Sequence, residues 1–269
     1  MTRSRGTLLA AAVAVAMVLA PFLFWRGTWF GRPLSDAQIE QQLHDDSKPR
    51  SIQHALVQIS QRLDRRGTSI ERWYPRVAAL ALHPVTELRV TAAWVMGQDN
   101  GSELFHRTLA AMLKDVEPAV RRNAALSLAR LGDAAGRPEL QAMLRPFALR
   151  APRQGALRYR LRTGDSVNPG TLVARLQTAD PEPLEIRSPL PGKIERKLAE
   201  EGARVEAGQE LLWVSPSPEH VWESLRALYL VGSADDLPDV ERFRNPPADW
   251  SSKIGEQAKR TVQSIRGRR

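Results

Sequence analysis

The side chains able to do chemistry are sparse. Cysteine is absent, which removes thiol nucleophiles, disulfides and Cys-based metal sites and says nothing of compartment. The five histidines are His44, His54, His83, His106 and His220. None stands in a His-x-x-x-His pair, so the spacing that puts two imidazoles on one helix face is missing. His44-Asp45-Asp46 is the best metal-like cluster. It sits at a helix end before Ser47-Lys48-Pro49, where a solvated cap is the commoner arrangement. No Gly-x-Ser-x-Gly elbow, phosphate loop or dinucleotide fingerprint occurs. The sequence assigns no catalytic, cofactor-binding or metal-binding residue. Arg89, Arg121 and Arg122 are the candidates for a protein-binding surface. The competing reading, favoured here, is that they form the polar start of helices.

Those arginines belong to a helical stretch, residues 35–150. Two segments repeat with a period of 32 residues. Residues 76–83 (RVAALALH) align with 108–115 (TLAAMLKD), and 88–93 (LRVTAA) with 120–125 (VRRNAA). The Ala pairs allow close helix approach, and apolar positions at i, i+3 and i+4 face a neighbouring helix. A weaker helical pair covers residues 36–44 and 49–65. Gly97, Gly101 and Gly132 end or separate helices. Asp99-Asn100-Gly101 reads as a turn, and Asn100-Gly101-Ser102 also matches a glycosylation sequon. Trp73, Tyr74 and Trp94 read as packing residues. The pattern of helix, Pro-containing turn and Val-Arg-x-x-Ala-Ala resembles HEAT repeats. That resemblance implies an extended surface for protein partners.

Residues 151–215 have another character: two halves that resemble each other. The first runs from Ala151-Pro152-Arg153-Gln154-Gly155 through Gly164-Asp165-Ser166-Val167 to Gly170. The second runs from Ser188-Pro189-Leu190-Pro191-Gly192 through Gly202-Ala203-Arg204-Val205 to Gly208. The glycines suit tight turns with positive φ, and the short β-branched or alternating runs between them suit strands. This stretch resembles the biotinyl/lipoyl-like barrel-sandwich domain, which also occurs in periplasmic adaptor (membrane-fusion) subunits. In carrier members of that family a lysine on the hairpin joining the halves takes the cofactor. Here the joint is residues 177–185 and holds no lysine; none occurs between Lys114 and Lys193. The resemblance therefore implies an unmodified barrel and no cofactor. The long helical hairpin of many adaptors is missing as well.

The helical pattern is interrupted rather than finished at residue 150. Residues 137–144 read as the first helix of a further repeat without its partner. Residues 218–231 read as that partner. Residues 237–243 then resemble 137–140, and residues 250–266 form a last helix. The chain thus reads as an array with the barrel inserted between the two helices of one repeat. Met143 and Leu144 are expected near Leu225, Leu228 and Tyr229. Trp213 and Trp222 flank the junction, and one of them is expected to pack there.

Residues 8–25 are an uninterrupted apolar run preceded by Arg3 and Arg5. This is near the minimum length for a bilayer span. A cleaved signal peptide is the alternative. Pro21 would follow its Val18-Leu19-Ala20 site, which favours an uncleaved anchor. The formal charge of +9 does not indicate nucleic acid. Residues 67–243 hold 23 basic and 23 acidic residues, and the excess lies at the two ends.

The expected fold is mainly α. It comprises an N-terminal transmembrane anchor (residues 1–34), HEAT-like repeats (35–150), a small all-β barrel-sandwich domain (151–215) and helices that complete the array (216–269). The expected function is that of a non-enzymatic, membrane-anchored interaction scaffold whose bulk is periplasmic or otherwise extracytoplasmic. The alternative is an adaptor-like accessory subunit of a transport, efflux or secretion complex. Expected partners are proteins, an inner-membrane transporter or envelope complex among them, and the membrane through the N-terminal helix, with no nucleic acid.

Overall fold

Where helices begin is dictated locally. Ser35 accepts a hydrogen bond from the Gln38 amide, and the Gln38 side chain accepts one from Ser35 N at 2.9 Å. This reciprocal cap satisfies two amides that the first turn leaves open. It starts α1 (Asp36–Leu43), which packs on α2 (Pro49–Leu63). A computed structural model describes Val15, Met17, Leu19, residues 33–63 and residues 70–268. It divides into two units, Met1–Trp73 and Tyr74–Arg269. In the first, Ile39 and Leu43 are fully buried, as are Ile52, Leu56 and Ile59 on α2. Trp73 is buried, with the Arg72 and Arg62 guanidiniums 4.4 and 5.3 Å from its ring centre. Asp36 pairs with both arginines.

The second unit contains paired helices. They are α3 (Tyr74–Ala79) with α4 (Thr86–Met96), and α5 (Glu103–Met112) with α6 (Pro118–Arg130). Then come α7 (Arg137–Ala142) with α8 (Pro218–Val231), and α9 (Leu237–Glu241) with α10 (Ser252–Gly267). The second helices stack in order: α4 on α6, α6 on α8, α8 on α10. Small residues set the spacing. A Cβ on Gly136 would lie 2.6 Å from Ala125 Cα. Ala92, Ala93, Ala124 and Ala125 are fully buried, so the repeated Ala pairs do lie where helices approach closely.

Eight strands fill the chain between α7 and α8. They are β1 (Phe147–Arg150), β2 (Gly155–Tyr159), β3 (Ser166–Val167), β4 (Leu172–Gln177), β5 (Leu184–Arg187), β6 (Gly192–Lys197), β7 (Arg204–Val205) and β8 (Glu210–Pro216). Two antiparallel sheets result, ordered β1-β8-β6-β3 and β5-β4-β2-β7. Exchanging the first four strands with the last four turns one order into the other. The hydrogen bonds repeat accordingly. Gly202 N donates to Leu157 O and Gly164 N to Ile194 O, both at 2.8 Å. Gly164, Gly170, Gly202 and Gly208 have φ between +80° and +92°, the region where a side chain is disfavoured. The other repeated pair serves differently: a Cβ on Gly155 would lie 2.7 Å from Gln177 O, and one on Gly192 2.0 Å from Ser215 O. The facing interiors also correspond, Leu157 with Ile194 and Val167 with Val205, all buried. Sheet pairing begins at Phe147, ahead of the boundary read at residue 151, because β1 is the outer neighbour of β8. Phe147 lies opposite Val214 and Ala148 opposite Trp213, so the chain leaves and rejoins the helices side by side.

The expected fold class needs correction. About half of the described residues are helical, accompanied by these two antiparallel sheets, so the chain is not mainly α. Among the described residues no helix is long and apolar enough to cross a membrane. The longest, α10, has 16 residues and exposes Lys253, Glu256, Lys259, Arg260 and Arg266; a span needs about 20 apolar residues. The run at residues 8–25 lies outside the described residues apart from Val15, Met17 and Leu19. The single-pass anchor is not supported, nor is the extracytoplasmic placement that followed from it.

Candidate functional site

Arg89 and Arg121 occupy the same place in successive repeats, the fourth residue of a second helix. Arg89 Nη1 donates to His83 O at 2.9 Å and Pro84 O at 3.3 Å. Arg121 Nη1 donates to Asp115 O at 2.9 Å and Val116 O at 3.1 Å. Each guanidinium thus covers carbonyls in the turn before its helix, which would otherwise lack donors. Each also reaches an acid further along. Arg89 grips Asp115 through two bonds of 2.8 and 3.0 Å, and Arg121 reaches Glu139 at 3.0 Å. Burial raises the Asp115 carboxyl, but the bonds from Arg89 and the Glu117 amide outweigh it and hold the pKa below the usual range. Arg122 is deeper, 4% exposed. Its Nη1 donates to His220 Nδ1 at 2.9 Å, and Glu139 lies 3.7 Å from its Nε. Because arginine only donates, this ring must be neutral at Nδ1. Burial and the neighbouring Arg122 charge push His220 down to about 4. Burial lowers Arg122 itself to about 10, Glu139 pulling the other way. All three arginines are therefore engaged within the array, although Arg122 Nε is buried without a hydrogen-bond partner, and Arg122 joins α6 to α8 across the strand insertion.

The accessible surface lies elsewhere. A groove of about 730 Å³ runs over α6, α8 and α10, lined by Leu126, Arg130, Glu223, Arg226, Ala227, Tyr229, Leu230, Gln257, Arg260, Gln263 and Ser264. Tyr229 is 44% and Leu230 51% exposed. The groove walls desolvate the Glu223 carboxyl and push it upward, while Arg130 and Arg226 pull it down. Sequence reasoning assigned no role to most of these residues and expected Tyr229 beside Met143 and Leu144. Their one signal was that α8 carries more apolar residues than its buried stripe of Val221, Leu225 and Leu228 requires.

Met143 and Leu144 share one core with Leu225 and Leu228, while Tyr229 turns outward. Tyr74 is buried beside Phe105, ring centres 4.2 Å apart, and its hydroxyl donates to Asp99 at 2.5 Å. Trp94 is 38% exposed. At the junction of sheets and helices the aromatic side chain is Trp250, stacked on Phe243 and lining a recess with Lys193 and Ser215. Trp222 packs on the helical core, and Trp213 lies under Arg196 at 5.0 Å. Lys193 sits in β6 and pairs with Asp249 at 3.3 Å. His44 Nδ1 is 2.9 Å from Glu40 O, and Asp45 binds Lys48 at 2.9 Å. Among the described residues no group of three or more His, Asp or Glu side chains could hold a metal ion.

Comparison with curated proteins gives no match. A family model described as HEAT repeats matches residues 75–158. The matched span covers α3 to α7 and runs on through β1 and most of β2, where the sheets stand in place of a second helix and α8 supplies that helix later. Residues 75–158 carry HEAT repeats, a kind of repeat that mediates contact between proteins.

Proposed function

We propose that this protein is a non-enzymatic interaction scaffold with two docking elements in fixed relation. One is the groove over α6, α8 and α10. The other is the pair of sheets, read as an unmodified barrel similar to the biotinyl/lipoyl-like domain. The observation that carries this is the closed helical core around the insertion, with Leu140, Met143 and Leu144 packed on Val221, Leu225 and Leu228. The module is joined at both ends to the helices of one repeat, and Lys193 of β6 pairs with Asp249 in the helical part. The exchange symmetry of the two sheets supports the barrel-sandwich resemblance. It also favours a second reading, an adaptor-like subunit of a larger complex. The β4–β5 hairpin carries no lysine for a carrier role.

The test is cross-linking in native extract with the full chain and with a chain lacking residues 147–216. The scaffold reading expects some partners to depend on the strands and others to survive their removal. One partner set that vanishes entirely with the strands would favour the adaptor-like reading. Identical partners for both chains would remove the barrel from the function.

A further inference from the structure

Many arginines of the array are consumed by the fold. Arg137 and Arg145 bind Asp236 and Asp239 at 3.0 and 2.6 Å, and Arg266 binds Glu241 at 2.7 Å. Arg268 donates to the carbonyls of Tyr229 and Leu230. Arg130, Arg226 and Arg260 are different. They stand on three successive second helices, all exposed and all lining the one groove. Among the described residues none of the three makes an ion pair or a hydrogen bond. Three like charges around one recess repel each other, and the single acid there, Glu223, leaves the groove with a net charge of +2 by formal count. Between the charges runs an apolar strip of Leu126, Ala227, Tyr229 and Leu230.

We infer that this groove binds a short acidic peptide segment of a partner protein, with carboxylates flanking one or two apolar anchors. This rests on the scaffold reading and deepens it. Guanidiniums recognise carboxylates through paired N–H donors. Tyrosine and arginine around a recess are the side chains that dominate binding energy at protein interfaces. The volume of about 730 Å³ lies in the range of ligand-sized clefts and suits a few side chains. A nucleic-acid strand fits less well, because its sugar–phosphate edge would lie against the apolar strip. Gln263 supplies a neutral polar group suited to a peptide backbone, while Ser264 Oγ and Gln257 Nε2 donate to Tyr229 O and Thr261 Oγ1.

Fluorescence polarisation with the full chain tests this. The probe is a short labelled peptide of alternating Glu-Glu and Leu-Phe pairs, compared with a Gln-Gln version and with oligothymidylate. The Glu peptide is expected to bind, the Gln peptide about tenfold more weakly, which corresponds to about 1.4 kcal/mol. Arg226→Glu is expected to weaken the Glu peptide about tenfold, Arg226→Lys by less, and Arg130→Glu with Arg260→Glu further still. All are exposed, so circular dichroism should be unchanged. Equal binding of the Gln peptide, indifference to the charge reversals, or tighter binding of oligothymidylate would overturn the inference. The scaffold reading fails on a different result, the loss of all cross-linked partners from the full chain. Failure of the peptide with those partners retained would sink this inference alone.

Discussion

The Ser224 hydroxyl donates to the Leu140 carbonyl at 2.7 Å, although the two residues are 84 positions apart in sequence. Both residues are fully buried. One lies in α8 and the other in α7, and the whole of the two sheets is threaded between. This bond ties together the halves of a repeat that the sequence separates. Ser224→Ala leaves the Leu140 carbonyl buried without that donor. The expected loss is about 1–2 kcal/mol of stability, read from the urea midpoint at constant slope. A neutral substitution would show that the carbonyl finds another partner.

Gly136 permits the close approach of the turn before α7 to α6. Gly136→Ala would place Cβ 2.6 Å from the Ala125 Cα and 2.8 Å from its Cβ, so backbone must move. Overpacking of this kind costs about 1–3 kcal/mol. Thermal unfolding of Gly136→Ala should show that loss, and Gly267→Ala, with nothing near its Cβ, should not.

Much of this architecture was legible from residue patterns, for reasons that differ between elements. The Ala pairs at 92–93 and 124–125 are buried because only small side chains let stacked helices approach, and that demand leaves a periodic mark. The turn glycines at 164, 170, 202 and 208 are legible because positive φ excludes most other residues. Arg89 and Arg121 recur in that 32-residue pattern, but Arg122 does not, and neither Arg89 nor Arg122 revealed its partner. An arginine on a helix reads the same whether it faces solvent or covers a neighbour's carbonyls; its partners, Asp115 and His220, are decided by tertiary packing. Tyr229 and Leu230 were illegible for the converse reason. Tyr229 was expected beside Met143 and Leu144, but α8 buries one stripe and exposes the next. The run at residues 8–25 was judged on its length, hydropathy and flanking residues, and among the described residues no helix is long and apolar enough to cross a membrane.

His220 should give stability a pH dependence of known sign. In the unfolded chain it takes a proton as pH falls below about 6.5. In the native state burial and Arg122 hold it neutral down to about 4. The unfolded state binds more protons across that window, so stability falls as pH drops from about 6.5 to about 4, and this contribution levels off below. His220→Gln keeps an acceptor for Arg122 but cannot titrate. Its stability should decline less than that of the parent between those limits. Parallel pH profiles would show that His220 titrates normally.

Replacing residues 147–216 by a short Gly/Ser linker, and following helical circular dichroism through a urea titration, asks whether the helices form one array around an insertion. Phe147 and Val214 are paired neighbours, so a short linker spans the gap, and the closure entropy changes only with the logarithm of loop length. The expected result is a retained helical signal lost in one cooperative transition, because the contacts of Leu140, Met143 and Leu144 with α8 do not involve the strands. A helical signal already diminished without urea, or two separate transitions, would mean that the strands hold the two sets of helices together and that no continuous array exists.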